Sequence, residues 1–328
     1  MKTSATYNSR AVFIINKDKI LDMKIKVYFI ALLTALILLP ANSFAENMAK
    51  HKKEVCIQLY SLRSILDGVN KDGQVSESYT KLLNDLAKMG YTAVEAANYN
   101  DGKFYGRTPQ QFKEDCAKAG LVALSSHTNR GLNDQELASG DFTEALKWWK
   151  QCIADHKAAG MKYIVCPWMN VPKDQKDLLT QCKYLNEIGK MCKESGIKFG
   201  YHNHSHEFQQ VEGKKMYDIM LENTNPEYVF FQMDVFWTVW GQNSPVNYFK
   251  KYPGRFKMFH IKDYREIGQS GMVGYDAIFN NADKAGLENF VVELEQSENP
   301  SIVEGVRESI NYLLNADFVK SSYSKDKK

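Results

Sequence analysis

The sequence predicts an α/β protein with a (β/α)8 barrel fold. From Val55 onward, short runs rich in β-branched and aromatic residues alternate with longer amphipathic runs. Eight such pairs fill about 265 residues, the count and size of a closed barrel. Several helical runs stop at glycine before the next strand, as in KMGYTAV, KAGLVAL, AAGMKYI and ESGIKFG. There Gly90, Gly120, Gly160 and Gly196 can adopt the left-handed cap conformation. An open doubly wound sheet would also alternate, but no GxGxxG follows the first strand.

In chain order the strand candidates are VCIQLYSL (55–62), AVEAAN (93–98), LVALSSHT (121–128) and YIVCPWM (163–169). KFGYHNH (198–204), VFFQMD (229–234), FKMFHIKD (256–263) and FVVELEQ (290–296) complete the set. Helical patterns occupy 76–89, 109–119, 142–159, 174–195, 215–223, 245–251, 275–285 and 301–315. The expected organisation is a leader over 1–45, one barrel domain over 46–316 and a polar tail over 317–328.

The leader carries an export pattern. Lys24 and Lys26 precede the apolar run Val27–Leu39, and Ser43-Phe44-Ala45 supplies small residues for cleavage. That run is shorter than the roughly 20 residues a membrane span requires. Met23 is the natural start for this signal, and the expected destination is the periplasm, with no stable membrane insertion once the signal is removed. Residues 1–45 hold six Lys/Arg and two Asp of the chain's 42 basic and 39 acidic side chains. The mature chain therefore has 36 basic and 37 acidic groups, a net of −1, which argues against nucleic acid as a partner. The six scattered cysteines show no CxxC spacing, and a domain of this size needs no covalent staples, so free buried thiols are expected.

Chemistry in such a barrel sits at the carboxyl ends of the strands. Those ends offer Tyr60, Glu95, His127, Trp168, then His202, His204 and Glu207, then Asp234, His260 with Lys262, and Glu293 with Glu295. In KFGYHNHSHEF the histidines alternate, so His202, His204 and His206 would share a face if the strand continued that far. Imidazole and carboxylate groups from several strands suit one divalent ion, with Mn²⁺ favoured and Co²⁺, Mg²⁺ or Zn²⁺ as alternatives. Other roles exist for each group: Asp234 could cap a following helix, and His260 could be a satisfied core residue. An unpaired Glu293 between Val292 and Leu294 would be costly unless it bound something. His206 is expected to be exposed and His156 to lie on a helix surface.

The stretches YHNHSHEF, FFQMDVFW, MFHIKD and VVELEQ resemble motifs of the sugar phosphate isomerase/epimerase superfamily, the xylose isomerase-like barrel group. QLYSLR and GYTAVEAA resemble its secreted bacteroidete-type members, and the likeness runs from about Val55 to Leu314. The resemblance implies one metal held by Glu, Asp, His and Glu from strands 5 to 8. Asp234, His260 and Glu293 match the last three, while His202 stands where many relatives have the first glutamate. Glu207, five residues on, is the preferred fourth ligand, with His202 as the alternative.

The expected activity is that of a metal-dependent isomerase or epimerase acting on a sugar or keto-sugar by proton abstraction beside a carbonyl, with the ion as Lewis acid. His204 and His202 are the candidate proton-transfer groups, Lys262 the electrophilic helper, and Glu293 both ligand and base. Tyr60, Glu95, His127, Trp168 and Trp237 are the candidate substrate contacts. If a β-substituent leaves instead, the enzyme is a lyase or dehydratase acting on a 3-keto sugar or glycoside. A non-catalytic carbohydrate-binding barrel is the third reading. The expected partner is a small carbohydrate, and a homo-oligomer is compatible with the sequence.

Overall fold

A computed structural model of the chain describes residues 53–66 and 75–324. The export pattern and the last residues of the polar tail lie outside the described residues. Eight parallel strands are present: β1 (Cys56–Gln58), β2 (Ala93–Ala96), β3 (Val122–Ser126), β4 (Tyr163–Cys166), β5 (Lys198–His202), β6 (Val229–Asp234), β7 (Met258–Ile261) and β8 (Asn289–Val292). Their hydrogen-bonded order is β3-β2-β1-β8-β7-β6-β5-β4. The two ends of this order meet where His127 bridges Val165 in parallel fashion. Thr128 N–H donates to the Val165 carbonyl at 2.9 Å, and Lys162 N–H to the Leu124 carbonyl at 2.9 Å. The sheet is thus a nearly closed barrel, as the alternating pattern predicts.

Helices cover the outside: α1 (Glu77–Met89), α2 (Pro109–Ala119), α3 (Asp134–Ser139), α4 (Thr143–Ala158), α5 (Gln175–Glu194), α6 (Met216–Asn223), α7 (Val235–Trp240), α8 (Pro245–Lys251), α9 (Tyr275–Asn280), α10 (Ala282–Ala285) and α11 (Ile302–Asn315). Local chemistry explains their limits. Ahead of α2, Thr108 and Gln111 form a reciprocal capping box with Pro109 in the first turn, and Gly120 closes the helix at φ 83°. The short α3 and α7 were not legible as periodic runs, and the 275–285 pattern divides at Asn281.

Strands are shorter than their apolar runs. The Gln58 side chain accepts the Tyr60 N–H at 3.1 Å, so the first strand turns into a 3-10 helix over Leu59–Leu62. The same happens after β5, which ends at His202, while His206 lies in a 3-10 helix, His206–Phe208. The three alternating histidines therefore do not share one strand face.

Two packed layers follow from the period of two along each strand. Inside the barrel Cys56, Ala93, Leu124, Tyr163, Val165, Phe230, Met258 and Val291 form their own apolar cluster. A Cβ on Gly200 would lie 2.5 Å from the Phe230 ring, so β5 leaves room there for the neighbouring phenyl group. Two residues further along several of these strands come Gln58, Glu95, Gln232, His260 and Glu293, all buried. The apolar plug thus forms the floor of a polar layer at the carboxyl end.

All six cysteines are buried and free, as expected. His156, in contrast, is not on a surface: it is fully buried, its Nδ1 2.7 Å from the Cys152 carbonyl and its Nε2 3.1 Å from Thr128 Oγ1. No helix among the described residues is long and apolar enough to cross a membrane.

Candidate active site

Strand register sets the site. Asp234 on β6 stands opposite His260 on β7, and Gln232 stands opposite His202 on β5. The shift in pairing between β2 and β3 at Val94/Glu95 brings Glu95 opposite Ser125, a bulge that helps aim the carboxylate inward. One ligand atom each from His202, Asp234, His260 and Glu293 falls within 4.8 Å of the others.

Glu95 is the hub beneath this quartet. Its Oε1 accepts from Gln58 Nε2 at 2.9 Å and from His260 Nε2 at 2.7 Å, and its Oε2 accepts from Ser125 Oγ at 2.5 Å and Gln232 Nε2 at 2.9 Å. Read from the sequence as a substrate contact, it lies fully buried with both oxygens engaged. Burial opposes its ionisation, but His127, His260 and these donors hold its carboxyl down at about 2. His127 donates through Nε2 to Gln232 Oε1 at 2.7 Å, and burial lowers its pKa. Gln58 is readable from the sequence as a strand-end residue but is not among the candidate site residues; Ser125 and Gln232 are absent from the sequence expectations, though Gln232 occupies an inward position two residues before Asp234.

His260 links the hub to the quartet. With Nε2 held by Glu95, Nδ1 lies 3.3 Å from Glu293 Oε2. Burial alone would lower its pKa, but the two carboxylates raise it to about 10. Glu293 is pushed well below the usual carboxylate range, against burial, by Lys262 and His260. Lys262 Nζ sits 3.9 Å from Glu293 and 2.9 Å from Glu295 Oε1. Although burial works against its charge, Glu293, Asp234 and Glu295 hold its pKa above the ordinary lysine value.

Asp234 combines both roles weighed from the sequence. Its Oδ1 accepts the Trp237 N–H at 2.7 Å and caps α7, while its buried Oδ2 has no partner. Burial raises its carboxyl to about 8. His202 Nδ1 is likewise buried without a partner, and burial, then neighbouring His260, hold that ring well below its usual pKa. Two of the four convergent residues carry a buried polar atom with no partner, which fits a cation: such an atom otherwise costs roughly 1–3 kcal/mol.

Glu207 falls elsewhere. Its carboxylate accepts from Tyr201 Oη at 2.7 Å and from the His204 N–H at 2.8 Å, with His206 Nε2 at 3.2 Å. It groups with His204 and His206 rather than with the quartet. His206, expected to be exposed, is half-buried against the Met169 carbonyl at 3.0 Å. His204 lies between the two groups, its ring 4.9 Å from that of His202 and 5.8 Å from that of Trp237. Its Nδ1 is buried and unpartnered, and burial lowers its pKa to about 4. Trp168 packs its ring 5.1 Å from His204. Tyr60 stands at the rim with the Arg63 guanidinium 4.3 Å over its ring.

At the strand ends of this barrel, histidine and carboxylate groups gather around one point, and the sequence places the chain in a family of such barrels. Residues 83–316 match the xylose isomerase-like TIM barrel family, and the chain belongs to that family. It is similar to the solved structure of a sugar phosphate isomerase/epimerase from Parabacteroides distasonis ATCC 8503, with 34% identity and a TM-score of 0.74 over 82% of this chain and 100% of that one. It shares its fold with the IOLI protein determined with a zinc atom, at 16% identity and TM-score 0.57 over 81% of this chain and 98% of that one. Over 209 residues it is 24% identical to the inosose dehydratase of Geobacillus kaustophilus (strain HTA426), 58% of this chain and 64% of that protein. The chain spans less than two thirds of the length of the first curated relatives it matches.

Proposed function

We propose that this protein is a divalent-metal-dependent lyase that removes the proton beside a carbonyl of a carbohydrate and expels an oxygen substituent one carbon further on. The observation that carries the metal reading is the buried quartet with unpartnered Asp234 Oδ2 and His202 Nδ1. His202, Asp234, His260 and Glu293 would hold the ion, so His202 replaces Glu207 as the fourth ligand. Two imidazoles and two carboxylates suit Mn²⁺, Co²⁺ or Zn²⁺. When bound, such an ion supplies Lewis-acid stabilisation of charge developing on the substrate carbonyl oxygen.

The remaining steps belong to side chains. His204 is held neutral by burial and its unpartnered Nδ1 can accept the α-proton. Lys262 is held protonated by its carboxylate neighbours and can donate to the departing oxygen. The C–H and C–O bonds break, a C=C bond forms, and the substituent leaves as an alcohol. Glu95 orients His260, and Trp237 flanks His204 as a wall of the substrate pocket. Epimerisation at one carbon needs proton-transfer groups on both of its faces, and the imidazole of His202 removes the carboxylate that would supply one of them. The export pattern over 23–45 supports a periplasmic carbohydrate as substrate.

Return of the proton to carbon, an isomerase or epimerase outcome, is the second reading, favoured by the likeness to the Parabacteroides distasonis structure. Incubating metal-loaded protein with a methyl 3-keto-glucoside in deuterated water separates the two. Elimination produces an unsaturated ketone seen by ultraviolet absorbance, whereas isomerisation produces deuterium at the α-carbon without that band. Absence of both, with metal bound, would overturn proton abstraction altogether.

A further inference from the structure

Trp168 also lines a space at the barrel mouth whose walls include none of the four residues of the quartet. A cavity of about 610 Å³ lies between the loops after β3 and β4 and helices α3 and α5. That volume is in the range of small-molecule sites, roughly 300–1,000 Å³. Leu132, Leu137, Met169, Val171, Tyr184 and Leu185 give it apolar walls. Trp168 belongs to both spaces: it lines the cavity, its ring packs 5.1 Å from His204 and 4.5 Å from His206, and it is 47% exposed. Its indole Nε1 donates to Asn170 Oδ1 at 3.0 Å, and its backbone carbonyl accepts from Asn129 Nδ2 at 2.9 Å. A large indole left half open beside His204 offers an apolar face to a ligand.

We infer that this cavity is a subsite for the non-reacting ring of a neutral two-ring glycoside, with Trp168 as its specificity-determining wall. The inference rests on the proposed chemistry for the position of the reacting ring beside His204. The expelled alcohol is then this second ring, an aromatic or other apolar aglycone. The charges favour a neutral substrate over a phosphorylated one. Among the described residues, Lys173 is the one cation of the cavity lining, which also holds Asp134 and Asp177. Lys262, on the metal side, is already faced by Glu293 and Glu295. Among the described residues, neither space offers an uncommitted pair of cationic groups to clamp a phosphate dianion.

Binding of unreactive glycosides tests this apart from turnover. Calorimetric titration of the metal-loaded protein with phenyl glucoside (both anomers), methyl glucoside and glucose 6-phosphate should rank a phenyl glucoside at least tenfold tighter than the methyl compound, and the phosphate no tighter. Trp168→Ala and the cavity-filling Leu137→Trp should each erase the phenyl advantage and keep the metal content unchanged, Leu137→Trp should leave methyl glucoside affinity within about twofold, and Trp168→Phe should retain most of the phenyl advantage. Equal affinity for phenyl and methyl glucosides, or tightest binding of the phosphate, would overturn the subsite. Failure of the metal reading shows separately, as absence of bound ion in the unmutated protein, and the ranking of glycosides still decides the subsite.

Discussion

Two groups of histidine and carboxylate meet at the end of β5, and they differ in what their atoms already bind. The inner group, His202, Asp234, His260 and Glu293, includes buried ligand atoms with no partner. In the outer group, Glu207 is fully engaged by Tyr201 and the His204 backbone, and His206 faces the Met169 carbonyl. Both groups have metal-like spacing, yet in the second the carboxylate of Glu207 and the ring of His206 are already engaged, and His204 Nδ1 alone has no partner. Spacing proposes a site; unsatisfied valence distinguishes it. His204 has one foot in each group, its N–H bonded to Glu207 and its Nδ1 free. The outer network thus fixes the His204 backbone beside the inner group.

The largest effects should come from the inner group. Asp234→Ala or His202→Ala should remove the single bound ion measured by elemental analysis, and turnover should fall by roughly three orders of magnitude, the scale of losing a preorganised electrostatic stabiliser. Glu207→Ala should keep the ion. Loss of metal in Glu207→Ala with retention in His202→Ala would reverse the contrast between the groups.

Next in size is Glu95→Gln, which alters only the support of His260. Metal affinity should weaken by about 10–100-fold, the usual cost of losing the partner that orients a ligating histidine. Competition titration against a chelator would measure it, and an unchanged affinity would remove Glu95 from that role.

Protons should compete with the ion. With Asp234 raised to about 8 and His260 to about 10, metal binding must displace protons, so affinity should rise up to tenfold per pH unit per proton released between pH 6 and 8. The metal-free fold should respond in the opposite sense. A raised pKa means the folded state binds its proton more tightly, so Asp234 contributes stability that is full below pH about 4 and is lost as pH rises through 8. His260 acts in the same direction, fully below about 6.5 and lost towards 10. Chelated protein should therefore melt lower at pH 9 than at pH 6, with the difference reduced by added ion. A flat profile in chelator would contradict this.

The smallest effects belong to the outer group. Glu207→Gln should cost about 1–3 kcal/mol in a urea titration, since Tyr201 and the His204 N–H lose a charged acceptor, while metal content stays at one. His206→Ala, at a half-buried position, should cost about 1 kcal/mol or less.

The barrel was readable because β-branched runs, amphipathic helices and glycine stops repeat at local spacing, and each signal is generated within a few residues of chain. Asp234, His260 and Glu293 were readable as strand-end residues for the same reason, since period two and the end of an apolar run identify inward positions. Identity of the fourth group was not. KFGYHNHSHEF contains His202, His204, His206 and Glu207 within six residues, and each has a suitable donor. Only the tertiary structure ends β5 at His202 and turns the chain, so that Glu207 meets Tyr201 and His202 meets Asp234, His260 and Glu293. Glu95 was visible too, but its partners Gln58, Ser125, Gln232 and His260 come from four other strands. Local sequence determines which side chains point inward. Which of them remain unsatisfied depends on neighbours up to 165 residues away, and that was decided by closure of the barrel.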